Sequence, residues 1–137
     1  MKNISLPTAG LIVIKNNKLL LAFSKNKKAW YLPGGKIDRS ESSLEALQRE
    51  IQEELNIKLD PNRLEYYCHV SAQAYGEASN IIMEQDCFLY ELNETIRPSN
   101  EITDVKYFDL KTYQLEPVQV EGVIVVFNNL IKDGIII

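Results

Sequence analysis

The sequence contains, at residues 42–56, the stretch SSLEALQREIQEELN, which decides the fold. Ser42 and Glu45 have the spacing of a capping box, in which each side chain binds the backbone of the other residue at a helix N-terminus. Asn56 can adopt the left-handed conformation that commonly ends a helix. The stretch therefore predicts an amphipathic helix whose apolar face packs on a core. The residues of that face recur every three or four positions: Leu44, Leu47, Ile51 and Leu55.

A second face of this helix is acidic. Glu50, Glu53 and Glu54 stand at positions i, i+3 and i+4, so their carboxylates project from adjacent positions. Carboxylate clusters suit a hard divalent cation such as Mg²⁺, which keeps further sites for water and phosphate oxygens. Arg49 is placed to orient Glu50 through a charge-assisted hydrogen bond. Because charge runs are common on solvated surfaces, the cluster by itself leaves a solvated helix face as the alternative.

Strand-like runs surround the helix on both sides. Asn16-Asn17 separates two β-rich runs and predicts a hairpin turn, because asparagine tolerates positive φ. Pro33-Gly34-Gly35 is expected to end any strand there and to let backbone approach a ligand closely. The order β-β-helix-β-β-β-helix fits a mixed sheet covered by helices on opposite faces. The predicted strands are residues 10–14, 19–23, 63–71, 81–92 and 105–110; residues 76–80 form a hairpin loop or a mobile binding loop, and residues 116–132 a second helix.

Composition excludes several classes of protein. The 137 residues, 45% hydrophobic and 25% charged, are typical of one globular domain over residues 1–137. A net charge of −4 argues against a general nucleic-acid binder. Cys68 and Cys87 are too few for a disulfide framework. No charged-then-apolar leader is seen, and the apolar runs are far shorter than the ~20 residues of a membrane span, so we expect a cytoplasmic protein without a membrane partner.

Residues 35–57, GKIDRSESSLEALQREIQEELNI, resemble the Nudix box. The preceding residues 30–37, WYLPGGKI, look like the entry loop of Nudix hydrolases. Asn56 stands where the family usually has glycine, and Ser40 stands where glycine often precedes the box glutamate. The resemblance implies an α/β fold, the α/β/α sandwich of the Nudix family with a mixed sheet between helices. The residues that carry it are Gly35, Glu41, Arg49-Glu50-Ile51 and Glu53-Glu54, with Glu101-Ile102, Val105, Tyr107 and Phe108 resembling a late strand of the family.

The chemistry implied by the resemblance is hydrolysis of a nucleoside diphosphate derivative, of the nucleoside triphosphate or dinucleoside polyphosphate class. Water attacks one phosphorus, and Glu50, oriented by Arg49, is our first choice as general base. Glu53 and Glu101 remain alternative bases, because the base differs between Nudix subfamilies. The implied cofactor is Mg²⁺ or Mn²⁺, and its implied ligands are the Gly35 carbonyl, Glu50, Glu53, Glu54 and, as in some members, Glu101.

Substrate contacts are less defined in the sequence. Lys36 and the basic loop with Lys25, Lys27 and Lys28 are candidates for phosphate binding, although surface lysines commonly only solubilise. Trp30 and Tyr31 are aromatic residues of the kind that stack a base, with core packing as the alternative. Tyr75 lies near the tyrosine position of dinucleoside-polyphosphate members. Leu115 replaces the asparagine that precedes Glu-Pro in 8-oxo-dGTP pyrophosphatases, which argues against oxidised guanine.

Two rival functions follow from the same residues. A non-catalytic nucleotide sensor on a Nudix scaffold is one, although such modules commonly have a degraded acidic set. An isopentenyl-diphosphate-isomerase-like reaction is the other, and the presence of one histidine, His69, argues against its histidine-rich metal site. The expected partner is a small nucleotide diphosphate substrate. Since Nudix relatives are often dimers, the resemblance also allows a homodimer.

Overall fold

One long α-helix packs on each face of a β layer in the computed structural model, which describes residues 2–137. The strands are β1 (Ile4–Ile12), β2 (Ile14–Lys15), β3 (Lys18–Ser24), β4 (Ala29–Tyr31), β5 (Gly34–Lys36), β6 (Glu65–Gln73), β7 (Ile81–Leu89) and β8 (Ile102–Phe108). The helices are α1 (Ser43–Leu55), α2 (Leu110–Tyr113) and α3 (Glu121–Lys132), and a 3-10 turn covers Pro61–Arg63.

The predicted capped helix is confirmed as α1. The Ser42 hydroxyl accepts a hydrogen bond from Glu45 N at 3.1 Å, and the Glu45 carboxylate accepts one from Ser42 N at 2.9 Å. Asn56 ends the helix in the left-handed region, with φ of 57°. The apolar stripe is buried, since Leu47, Ile51 and Leu55 are 0% exposed. Local capping and the apolar stripe together fix where this helix starts, where it ends and which face it buries.

The β layer is divided into two four-stranded sheets. One has the order β5-β1-β7-β6, with β1 parallel to β7 and the other pairs antiparallel. The other is antiparallel throughout, with β3 pairing β2, β4 and β8. The predicted turn at Asn16-Asn17 joins β2 to β3, and both residues have positive φ, 51° and 64°.

The strands β1 and β3 contribute side chains to the cores on both faces of the β layer. In β3, Leu19 and Leu21 join the core beneath α3, whereas Leu20 joins the core beneath α1. In β1, Leu11 and Ile12 likewise belong to opposite cores. Because strand side chains alternate between faces, both strands are apolar on both sides. The α/β/α sandwich with a mixed sheet, predicted from the sequence, is confirmed.

As predicted, a strand ends at Pro33-Gly34-Gly35, because β4 stops at Tyr31. The sequence does not predict that Gly34 and Gly35 also begin a new strand, β5. Gly34 pairs with Gly10 and Gly35 pairs with Ala9 of β1. Gly34 has φ of +138°, and a Cβ there would lie 2.0 Å from the Ala9 carbonyl oxygen. Because glycine has no Cβ, position 34 of β5 can approach β1 closely enough to pair with it, whereas a residue with a side chain would clash.

The second predicted helix begins later than expected, at Glu121 rather than Glu116. Proline at 117 disfavours the helical conformation at Glu116. The Gln119 amide also donates hydrogen bonds to the carbonyls of Gln114, at 3.2 Å, and Glu116, at 2.6 Å, and so holds residues 114–119 as a turn. The four-residue helix α2 was not predicted, and it is capped by the Asp109 side chain.

In the part of the chain that the structure describes, no helix has the length and apolar character needed to cross a bilayer.

His69 lies on β6 between two acidic residues of β7. Its Nδ1 is 2.8 Å from Asp86 Oδ1 and its Nε2 is 2.7 Å from Glu84 Oε1. The hydrogen bonds to Asp86 and then to Glu84 raise the pKa of His69. With its side chain 43% exposed, His69 forms an ion pair across two strands at the surface.

We predict that His69→Gln destabilises the protein more at pH 5.5 than at pH 8.5. A raised pKa means that the charged imidazole stabilises the fold fully below its ordinary value of about 6.5, and that this contribution is lost as pH rises through the folded-state pKa. Urea unfolding at both pH values measures the difference. Because the sequence has one histidine, an NMR titration of untagged protein gives its pKa directly. Equal destabilisation at the two pH values would contradict the prediction.

We predict that Gly34→Ala lowers the free energy of unfolding by more than about 3 kcal/mol, because a steric clash with Ala9 is added to the cost of a strained φ. Gly134→Ala is the matched control, since Gly134 also has positive φ, +71°, but a Cβ there meets nothing within 4 Å. The control should lose about 1–2 kcal/mol from strain alone. Urea denaturation of both variants checks this, and equal losses would show that the contact with β1 is unimportant.

Candidate active site

A cleft of about 370 Å³ lies where β5, α1 and the β6–β7 loop meet. It gathers residues that are distant in the sequence, from Leu6 in β1 to Val120 before α3. Eight of the predicted site residues line it: Lys27, Tyr31, Gly35, Lys36, Glu50, Glu54, Tyr75 and Glu101. Five others are not among the lining residues: Lys25, Lys28, Trp30, Arg49 and Glu53.

Arg49 connects the loop before α1 to the acidic face of the helix. Its Nε and Nη2 bind the two carboxylate oxygens of Glu41 at 2.7 and 2.8 Å. Its Nη1 donates to Glu50 Oε1 at 3.0 Å, and its Nη2 donates to the Lys36 carbonyl at 3.1 Å. The predicted contact between Arg49 and Glu50 is therefore present in the structure.

Glu41 connects the loop to the helix through its hydrogen bonds. Besides its two bonds from Arg49, it accepts a hydrogen bond from Asp38 N at 2.9 Å. The bonds from the Arg49 side chain, and then the one from Asp38 N, lower the pKa of Glu41 to about 2. Glu41 thus stays ionised and holds the guanidinium in a bidentate geometry.

Glu50 stands between Arg49 and the Gly35 backbone. A Cβ built at Gly35 would lie 2.5 Å from the Glu50 carboxyl carbon, so a side chain at this position would displace the Glu50 carboxylate. Burial raises the pKa of Glu50, and the hydrogen bond from Arg49 opposes that shift. The Glu50 side chain is 18% exposed, which makes it a half-buried carboxylate at the edge of a cleft.

Glu54 is the carboxylate most affected by its surroundings. It accepts a hydrogen bond from Gly34 N at 3.1 Å. Burial raises its pKa to about 8, the Gly34 bond opposes the shift, and the negative charges of Glu50 and Glu101 add to it. Glu54 therefore does not belong to a solvated helix face, because its carboxylate is largely buried and lies near other carboxylates.

Glu101 reaches the cleft from the start of β8 and is held by a residue that the sequence does not identify. Ser24, which is 4% exposed, donates a hydrogen bond from its hydroxyl to Glu101 Oε2 at 2.7 Å. The same hydroxyl accepts a bond from Lys27 N at 3.2 Å. Ser24 therefore fixes the direction of the Glu101 carboxylate, and nothing in the sequence around it signals this function.

Glu53 and Trp30 lie outside the lining of the cleft. The Glu53 side chain is 51% exposed, and its carboxylate lies 3.6 Å from Arg49 Nη1. The Trp30 ring packs edge-on against Phe23 and Phe108, with centroids 5.2 and 5.0 Å away. Its Nε1 donates to Glu116 Oε1 at 3.0 Å. Base stacking on Trp30 stays a prediction, and this packing favours the core alternative.

Two segments meet at the mouth of the cleft. Lys27, in the turn between β3 and β4, forms a 2.7 Å ion pair with Glu77 in the β6–β7 loop. Nearby, Tyr31 and Tyr75 make an edge-to-face contact with ring centroids 6.4 Å apart. The loop predicted over residues 76–80 thus connects two antiparallel strands and also contributes to the cleft.

The chain is similar to known proteins in sequence and in fold. Residues 5–125 match the family model described as the NUDIX domain. An 8-oxo-dGDP phosphatase, NUDT18 from Danio rerio, is 38% identical over 56 residues, which cover 38% of this chain and 17% of that protein. An 8-oxo-dGTP diphosphatase from Buchnera aphidicola subsp. Schizaphis graminum is 36% identical over 52 residues, which cover 35% of this chain and 40% of that protein. The chain therefore spans less than half the length of either relative.

Solved structures show the same fold. A MutT protein from Methanosarcina mazei Go1 superposes with a TM-score of 0.78 and covers 98% of both chains. The sequence identity is 17%, so this likeness concerns the arrangement of strands and helices.

We predict that Arg49→Lys lowers the free energy of unfolding by about 1–2 kcal/mol, because lysine cannot reproduce the fork that binds Glu41. Arg39→Lys is the control, since Arg39 is exposed in the same loop. Urea unfolding at pH 7 measures both. A value for Arg49→Lys equal to that of the control would mean that the fork does not hold the loop on the helix.

Proposed function

The chain belongs to the NUDIX family, and on that premise we propose that it is a metal-dependent pyrophosphohydrolase that cleaves a nucleoside diphosphate derivative. One observation carries the proposal. The cleft brings Glu50 and Glu54 of α1 together with Gly35 of β5 and with Glu101, which directly precedes β8. Glu101 is distant in the sequence from the other three residues, and its presence in the same cleft supports a functional site over a solvated helix face.

The donor set fits a hard divalent cation. Within residues 2–137, no three His, Cys, Asp or Glu side chains already have the spacing of a complete metal site. Mg²⁺ commonly takes only one or two carboxylates and completes its shell with water and phosphate oxygens. The carboxylates of Glu50, Glu54 and Glu101 and the Gly35 carbonyl offer oxygen ligands only. Burial, followed by the negative charges of Glu50 and Glu101, raises the pKa of Glu54 to about 8, and a bound cation would favour its ionised form.

Mg²⁺ or Mn²⁺ bound here would neutralise diphosphate charge and lower the pKa of a bound water. Glu50 is the proposed general base. Arg49 binds its Oε1, which leaves Oε2 to take the proton of the attacking water. Arg49 and Glu41 act by holding this carboxylate in place. Glu53 remains an alternative base, although its exposed side chain supports that role less well.

The phosphate groups of the substrate are proposed to contact Lys36 and Lys27, which are the lysines that line the cleft. Lys27 is paired with Glu77, so an incoming phosphate would compete for the same ammonium group. Tyr75 lines the cleft beside Tyr31 and is a candidate contact for the rest of the substrate. Leu115 is 81% exposed and lies outside the lining residues, so its identity does not shape this cleft.

Substrate identity is tested by a panel of compounds with Mg²⁺ and with Mn²⁺. The panel contains nucleoside triphosphates, dinucleoside polyphosphates, ADP-ribose, nucleotide sugars and NADH. It also contains 8-oxo-dGTP and 8-oxo-dGDP, because the names of two relatives refer to these compounds. Release of a nucleotide and a second phosphorylated product, lost with EDTA and restored by Mg²⁺, would support the proposal. Nucleotide binding without product release would instead favour the non-catalytic sensor.

We predict that Glu50→Gln and Glu54→Gln each lower kcat at least about 100-fold, since general bases contribute roughly 10²–10⁴-fold and the loss of a metal ligand is comparably severe. Both variants should stay folded, because each replaces a carboxylate by an isosteric amide. Glu65→Gln, on the exposed part of β6, is the matched control and should keep full activity. Mn²⁺ affinity measured by EPR should fall in Glu54→Gln. Full activity in both Glu50→Gln and Glu54→Gln would overturn the proposal.

A further inference from the structure

Two buried hydroxyl groups in the cleft have no hydrogen-bond partner among the described residues. They are Thr8 Oγ1, in β1, and the phenolic oxygen of Tyr31, in β4. Thr8 is 7% exposed, and both residues line the cleft. Buried polar groups in proteins nearly always have partners, so two orphans in one cleft call for an explanation.

The hydroxyl of another tyrosine, Tyr113, is buried but has hydrogen-bond partners. Tyr113 is 0% exposed, and its hydroxyl donates to the Trp30 carbonyl at 3.2 Å and accepts from Val120 N at 2.8 Å. Tyr113 is not among the residues that line the cleft. The hydroxyl outside the cleft is thus satisfied by the protein itself, whereas the one at Tyr31 is not.

Besides the two hydroxyls, the lining of the cleft contains a neutral polar residue, Gln85, and several apolar side chains. Thr8 is the register partner of Gln85 in the parallel pair of β1 and β7. Gln85 is 8% exposed and also lines the cleft. Burial, followed by the nearby Tyr75, raises the pKa of Tyr31, so its hydroxyl stays protonated and able to donate. Apolar side chains complete this lining: Leu6, Leu32, Met83 and Val120.

We propose that Thr8 and Tyr31 are specificity-determining residues that hydrogen-bond the polar edge of the substrate's nucleobase. The inference rests on the proposed function for the presence of a nucleotide. Neutral groups that donate and accept match the edge of a heterocycle, whereas a phosphate would pair with the lysines of the cleft. The apolar side chains supply contacts for the faces of a planar ring. Neither oxygen is accessible in the structure, so the base has to displace the side chains that cover them.

The first test measures binding without metal, so that it does not depend on catalysis. Wild type, Tyr31→Phe and Thr8→Val are titrated with AMP, GMP, CMP, UMP and 8-oxo-dGMP, followed by NMR chemical shifts. Ribose 5-phosphate is the matched probe without a base. Each variant should bind the preferred nucleotide about five- to tenfold more weakly, the loss typical of one hydrogen bond. Binding of ribose 5-phosphate should not change.

The second test measures the stability of the ligand-free protein. Removing an orphan hydroxyl removes a desolvation cost, so Tyr31→Phe should raise Tm by about 2–8 °C. Tyr113→Phe makes the same chemical change at a satisfied hydroxyl and should lower Tm by a similar amount. A merely structural Tyr31 would behave like Tyr113, so the opposite signs of the two shifts identify the orphan. Thr103→Val, on an exposed position of β8, controls for Thr8→Val.

The outcomes separate this inference from the proposed function. Unchanged nucleotide affinity in both variants, no nucleotide binding by the wild type, or a lower Tm in Tyr31→Phe would each overturn the inference. Hydrolysis of a panel compound with unchanged KM in both variants would overturn it while leaving the proposed function intact. Weakened nucleotide binding in the variants of a protein that hydrolyses nothing would support the inference and refute the proposed function.

Discussion

The close approach of β5 to its neighbours is the constraint on which the rest of the structure depends. On one side, a Cβ at Gly34 would lie 2.0 Å from the Ala9 carbonyl oxygen of β1. On the other side, a Cβ at Gly35 would lie 2.5 Å from the Glu50 carboxyl carbon of α1. Gly34 therefore permits the pairing of β5 with β1, and Gly35 leaves room for the Glu50 carboxylate beside β5. A side chain at position 35 would displace that carboxylate from the strand with which it lines the cleft.

The electrostatics of α1 follow from that distance. A helix held this close to β5 cannot leave all of its carboxylates in water, and Glu54 is consequently half-buried beside Glu50. The Arg49 guanidinium offsets part of the resulting repulsion, because it binds Glu50 while Glu41 fixes its orientation. The loop before the helix thus stabilises the acidic face, because Glu41 of the loop holds the Arg49 guanidinium beside the Glu50 carboxylate. Such an arrangement of buried and crowded carboxylates is costly for the folded protein.

Local rules explain which elements the sequence predicts correctly. The capping box at Ser42 and the positive φ values at Asn16-Asn17 depend on neighbours in the chain, so residue identity reveals them. The strand that begins at Gly34, which the sequence does not predict, has the opposite origin. Gly34 and Gly35 form a strand because β1 lies beside them, and no local signal encodes a partner that is distant in the sequence. The same reasoning applies to Ser24, whose importance lies in its contact with Glu101.

The two parts of the cleft also differ in how the sequence encodes them. Except for Glu101, the acidic part is concentrated in one helix and the loop before it, so a single motif reveals most of it. The neutral part is assembled from single residues of different strands, such as Thr8 of β1, Tyr31 of β4 and Gln85 of β7. Threonine, tyrosine and glutamine are ordinary strand residues, and only burial without a partner distinguishes two of them. Family membership therefore constrains the reaction more strongly than the substrate, because discrimination between bases depends on positions that lie outside the motif.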